Sequence, residues 1–178
     1  ETVVNRQGLV VLDIGVPQET DGRQTQTDIF VRGLDRVPHK IPVKFSLIKS
    51  LCQFIAFEEL IVPESLPSIK LQTNALEMEL AQDGRRRVNL DPGYLCAGKL
   101  VLVTTKDQQH RLYLGQGIFA EVTLRYRQGA FRPWEWTYPD YRSPEYREIF
   151  SRIREIYLRQ MDENVGRGTW GGLSSLPP

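Results

Sequence analysis

The chain has 178 residues, with 23 Lys and Arg against 22 Asp and Glu and a formal net charge of +1. That length provides one domain whose core needs no covalent staples, and the near-zero balance excludes the global basic field of nucleic-acid or anionic-membrane binders. Cys52 and Cys96 have neither metal nor redox spacing, so free thiols in a reducing cytosol are expected ahead of a single disulfide, and no apolar run reaches the length of a membrane helix.

The first fifty residues contain neither Tyr nor Trp. Leu9–Ile14 reads as a buried strand, Pro17–Thr27 as a polar loop or disordered segment, and the two prolines in Val37–Val43 argue against a central strand. The chain begins at Glu1, which reads as a fragment or a processed product, and its start lacks the charged-then-apolar pattern of a secretory signal. A cytoplasmic protein is the expectation.

From Gln53 the pattern sharpens. Phe54–Phe57 is a short strand. Glu64–Gln82 is a helix with Pro67 in its first turn and Ile69, Leu71, Leu76, Met78 and Leu80 as an unevenly spaced apolar side. Arg86–Leu90 is a strand closed by a turn at Asp91-Pro92-Gly93. Lys99–Thr104 is apolar enough to be central. Arg111–Gly115 and Ile118–Arg127 form a hairpin about Gly115-Gln116-Gly117, and Phe131–Trp136 pairs back after Gln128-Gly129. In the long strand, Ile118, Ala120, Val122, Leu124 and Tyr126 alternate with Phe119, Glu121, Thr123 and Arg125. Ser143–Met161 is the clearest helix, with Ser143 as N-cap, Pro144 at its first position and a three-four stripe from Tyr146 to Tyr157. The expected fold is α+β: a single domain with an antiparallel-rich sheet and two main helices packed on one face. The core is expected over 53–162, with 163–178 a disordered tail.

Three segments carry candidate chemistry. Asn89 and Asp91 share one face of an extended segment and could bind a substrate hydroxyl or a metal, or form an Asx-type turn. Lys106, Asp107, His110 and Arg111 crowd one connection, which could hold an anion or move a proton, or be a solvated loop. Phe131–Arg142 packs five aromatics, two prolines and two arginines into twelve residues; Trp136 or Tyr138 could stack a planar ligand while Arg142 meets its charge, or Asp140 and Arg142 could form a structural ion pair. Glu121 either pairs with Arg125 or points into a cleft beneath that segment. Beyond Lys106 every cation is an arginine, which suits bidentate anion recognition or reflects codon usage. Gly93–Lys99 spells a phosphate loop, but Leu100 replaces the hydroxyl residue and a strand follows where a helix is needed. Two histidines exclude a poly-histidine metal centre, so no metal site is assigned and no cofactor is identified.

Residues 54–160 resemble the domain of unknown function 4416 family of bacterial and archaeal proteins. The resemblance rests on Phe57-Glu-Glu-Leu-Ile61, Lys70-Leu-Gln-Thr-Asn74, Arg87–Tyr94, Lys99–Asp107, His110-Arg111 and Trp136–Arg142. It implies no established activity. Residues 1–52 do not match it, and read either as a divergent N-terminal segment or as the product of a shifted reading frame.

The functional expectation is a domain binding a small anionic, nucleotide-like ligand where Asn89–Asp91, Lys106–Arg111 and Trp136–Arg142 converge. Asn89, Lys106, Arg111, Trp136, Tyr138 and Arg142 would bind, and His110 or Asp91 would transfer any proton. Whether catalysis occurs is open. The alternative is a non-catalytic protein-interaction module using the Trp136–Arg142 loop as a hot-spot patch. Neither a membrane nor a nucleic-acid partner is expected.

Overall fold

A computed structural model describes residues 8–15, 43–49 and 52–166. The polar stretch at 17–27, most of the proline-containing run at 37–43 and residues 167–178 lie outside the described residues; residues 163–166, expected in a disordered tail from 163, instead belong to the last helix, Pro144–Gly166. Eight strands form one sheet: β1 (Gly8–Gly15), β2 (Val43–Lys49), β3 (Cys52–Ile61), β4 (Asn89–Leu95), β5 (Lys99–Thr104), β6 (Leu112–Gly115), β7 (Ile118–Arg127) and β8 (Ala130–Pro133). Their order is β2-β3-β1-β4-β5-β7-β6, with β8 also on β7, and every pairing is antiparallel. A 3-10 turn at Pro63–Ser65 leads into α1 (Leu66–Glu79); α2 (Pro139–Arg142) is one short turn, and α3 (Pro144–Gly166) is the long helix. The α+β class and the antiparallel sheet are as the sequence implies.

The two long helices were expected on one face and take opposite faces. Strand alternation decides this: Phe54 and Ala56 pack with Ile149, Phe150, Ile153 and Tyr157 of α3, whereas Ile55 and Phe57 pack with Ile69, Leu76 and Leu80 beside α1. Both faces of the sheet are therefore buried, which is why Phe54–Phe57 reads as a continuous apolar run instead of an alternating one. The Ser143 hydroxyl accepts the Tyr146 N–H at 3.2 Å and caps α3, as its sequence position predicts.

Two further expectations are corrected. In β7, Leu100 pairs with Leu124 but Val101 pairs with Val122, leaving Thr123 unopposed. This bulge turns Leu124 onto the α3 face while Ile118 and Ala120 remain on the α1 face, so the simple alternation fails at Thr123. Asp91-Pro92-Gly93 is not a turn. It lies inside β4, opposite Asp13, Leu12 and Val11 of β1. The reason is that β4 pairs with β5 only over Gly93–Leu95. The Leu90 N–H is bonded by a side chain on the side β5 has left, and Pro92, two residues on, directs its nitrogen to that same open side, where no ladder bond is lost. Gly93 marks the point where the strands meet, since a Cβ there would collide with the Val101 carbonyl oxygen. Gly93 to Lys99 thus spans a hairpin between β4 and β5, not a phosphate loop.

Candidate functional site

The divergence of β4 and β5 opens a cavity of about 400 Å³. It is lined by Asp13 of β1, Asn89 and Asp91 of β4, Leu102, Val103 and Thr104 of β5, Thr105 and Lys106 beyond it, Glu121 of β7, Arg111, and Tyr138, Asp140 and Tyr141 at α2; Lys70, Asn74 and Arg86 reach it from the α1 side.

Helix α1 explains how the gap is held open. Its buried positions are Leu66, Pro67, Lys70, Thr73 and Glu77, so the helical spacing that should carry an apolar stripe carries a lysine and a glutamate. Glu77 Oε1 accepts the Leu90 N–H at 2.6 Å, and Lys70 Nζ donates to the Leu90 carbonyl at 2.8 Å. These side chains replace the ladder partners that β5 would supply. Lys70 also donates to Asp91 Oδ1 at 3.1 Å, while Arg86 pairs with the second Glu77 oxygen. Leu71 and Met78, expected on the apolar side, are exposed.

At the β1 end, Asp13 and Asp91 stand opposite each other in the β1–β4 register but in different environments. Asp91 is half-exposed and accepts from Lys70 and, at 2.6 Å, from the Asn89 amide. Asp13 is largely buried; its Oδ2 accepts the Tyr141 hydroxyl at 2.6 Å and its buried Oδ1 has no partner among the described residues. Burial pushes the Asp13 carboxyl up to about 6, the Tyr141 hydrogen bond works against that rise, and the charges of Asp91 and Asp140 add to it. The Tyr141 phenol is itself raised, first by burial and then by Asp13, so it remains a donor at neutral pH.

At the β7 end, Glu121 pairs with Arg111, not with Arg125. Its Oε2 takes the Arg111 Nε at 2.8 Å and lies 3.1 Å from His110 Nε2. Glu121 and Arg111 each keep 4% of their side-chain surface exposed, so this is a buried ion pair. Burial alone would lower the Arg111 pKa, and its bonds to Glu121 and Tyr138 more than offset that. Arg125 instead lies over the Trp134 ring at 3.9 Å.

Of the candidates from sequence, Asn89, Asp91, Lys106, Arg111 and Tyr138 line the cavity; His110, Trp136 and Arg142 do not. Trp136 stacks with Trp134 at 5.0 Å and with His110 at 5.4 Å. Its indole N–H donates to the Val122 carbonyl, and the Thr137 hydroxyl donates to that of Thr123. Between β6 and β8 the outer edge of β7 has no strand partner at residues 121–123 among the described residues, and the 134–137 loop supplies bonds to the Val122 and Thr123 carbonyls. Arg142 donates to the Thr137 and Glu135 carbonyls at 2.6 Å, fixing that loop; it forms no pair with Asp140 among the described residues. The unusual composition of this segment thus builds a corner. Asp13, Lys70, Asp140 and Tyr141 were not anticipated. Polar residues at the buried spacing of α1 were the one available signal for Lys70.

Among the described residues, no group of three or more His, Cys, Asp or Glu side chains could hold a metal ion, and no helix is long and apolar enough to cross a membrane. A family model described as a domain of unknown function (DUF4416) matches residues 48–157. No curated protein and no solved structure matches the chain.

Proposed function

The chain belongs to the DUF4416 family, and we propose that its domain binds a small anionic ligand in the cavity where β4 and β5 part. The observation that carries this reading is Lys106. Of the cations lining the cavity, Lys70 is matched by Asp91, Arg86 by Glu77 and Arg111 by Glu121. Lys106 is exposed and forms no ion pair among the described residues, and Thr104 and Thr105 lie beside it. A lysine flanked by hydroxyls suits a phosphate or carboxylate. The volume, about 400 Å³, falls in the range of small-molecule sites. Tyr138, 55% exposed at the rim, offers a face for a nucleotide base, a role that the stacked Trp136 leaves to it. A cytoplasmic setting completes this reading, consistent with the free Cys96 thiol.

A thermal-shift panel of nucleotides, sugar phosphates, inorganic phosphate and divalent metals tests it. At least one phosphorylated compound should raise the melting temperature by mass action, and Lys106→Ala should abolish the shift. A panel with no hit overturns the reading.

A second reading, protein interaction, draws its support from another place than the Trp136–Arg142 loop. Leu112, Tyr113 and Leu114 are 74%, 63% and 40% exposed on β6, the terminal strand of the sheet order. Such an edge favours strand addition by another polypeptide. Leu112→Glu should then change the sedimentation coefficient of the protein; identical sedimentation of variant and wild type counts against it.

A further inference from the structure

Resting on the ligand reading above, we infer that the cavity takes a phosphorylated polyol, a sugar phosphate or the ribose phosphate of a nucleotide, with its phosphate on Lys106 and its hydroxyls donating to Asp13 and Asp91.

The two ends of the cavity differ in kind. Lys106 with Thr104 and Thr105 supplies positive charge and hydroxyl donors. The far end, Asp13, Asp91 and Asn89, supplies mostly acceptors. Asp13 Oδ1 is buried without a partner among the described residues, and a lone buried acceptor of this kind is unfavourable unless a donor arrives. Tyr141 occupies the other oxygen of Asp13, which fixes the carboxyl group and leaves Oδ1 without a donor among the described residues. Asp91 keeps accessible surface and further lone-pair sites beyond its bonds to Lys70 and Asn89. Two acceptors on adjacent strands, in direct register, match adjacent hydroxyls on one carbon chain.

The Lys70 ammonium, 3.1 Å from Asp91 Oδ1, already supplies a cation at this end, and a ligand hydroxyl adds a neutral donor to the same acceptors. Tyr138 lines the cavity and is 55% exposed, so a base attached to the sugar would have an aromatic surface to lie on.

The test titrates the full chain with inorganic phosphate, ribose 5-phosphate, phosphoethanolamine and AMP, by calorimetry. Ribose 5-phosphate should bind about tenfold or more tightly than phosphate, since each hydroxyl bonded to a carboxylate contributes on the order of tenfold. Asp13→Asn, which preserves shape, should erase most of that ratio while still binding phosphate, so phosphate itself reports that the variant is folded. Lys106→Ala should weaken both ligands. AMP binding tighter than ribose 5-phosphate assigns the site to nucleotides, and weaker binding assigns it to free sugar phosphates; both uphold the inference. If ribose 5-phosphate binds no better than phosphate, or phosphoethanolamine matches it, this inference falls and the anion site stands. If none of the four binds, both fall.

Discussion

Asp13 is the residue whose chemistry departs furthest from its surroundings. Its folded-state pKa of about 6 exceeds the ordinary 3.8, so the fold disfavours its ionised form. By linkage, well below pH 3.8 the group is protonated in both states and no penalty exists. As pH rises towards 6 the unfolded chain ionises first, and stability falls by up to about 3 kcal/mol, then levels off above 6. Asp13→Asn should therefore raise the melting temperature at pH 7.5 and change it far less at pH 4, as read by circular dichroism; equal differences at both pH values would contradict the assignment. Glu121 behaves in the opposite way. Its replacement by Ala leaves the buried Arg111 uncompensated and should cost about 3–5 kcal/mol in chemical denaturation. Residue-level reading from sequence named Asn89, Asp91, Lys106, Arg111 and Tyr138, which line the cavity, because clustered polar residues in a turn-rich segment announce themselves. It missed Asp13, a lone carboxylate in the apolar run Leu9–Ile14, because nothing local shows that the run's neighbours are Asp91 and Tyr141. It assigned ligand roles to His110, Trp136 and Arg142, whose side chains bind the protein itself.

Among the elements, the relation of β4 to α1 positions the site. A strand that loses its neighbour partway along must find other partners for its backbone, and Lys70 and Glu77 are those partners for Leu90. Glu77→Ala should cost about 2 kcal/mol, the penalty of an unsatisfied buried N–H, together with faster amide exchange at Leu90; unchanged exchange there would count against the role. Gly93→Ala should force β4 and β5 apart at their contact, because the added methyl has no space beside the Val101 carbonyl, and it should destabilise by more than the roughly 1 kcal/mol typical of a point substitution. The strand at Lys99–Thr104, the β6–β7 hairpin and α3 were legible because each carries its own periodicity and turn residues; Gln116 and Gly117, between β6 and β7, both take positive φ, at 56° and 73°, as a two-residue hairpin turn requires. The Asp91-Pro92-Gly93 turn was misread because the same three residues that end a strand also suit a strand with one open edge. Only the register with β1 distinguishes the two cases.

At the scale of the whole molecule, the fold is one sheet sandwiched between α1 and α3, with the cavity where β4 and β5 part. The contacts that define the site span the chain: Tyr141 and Asp13 are 128 positions apart. β1 runs between β3 and β4 and brings Asp13 into the cavity, although residues 1–52 read from sequence as foreign to the rest. Long-range pairing of this kind leaves no local signature, which is why the class of the fold was legible and the assignment of helices to faces was not. Phe150, fully buried against the α3 side of the sheet, reports on this architecture: Phe150→Ala should cost about 3–5 kcal/mol in urea denaturation. The central claim is that the β4–β5 split is a binding site, and amide chemical-shift mapping during titration with ribose 5-phosphate tests it most directly. The account predicts that perturbations concentrate at Asp13, Asn89–Asp91, Thr104–Lys106 and Tyr138–Tyr141 and disappear in Lys106→Ala. Perturbations confined to Leu112–Leu114 of β6, or none at saturating ligand, would contradict it.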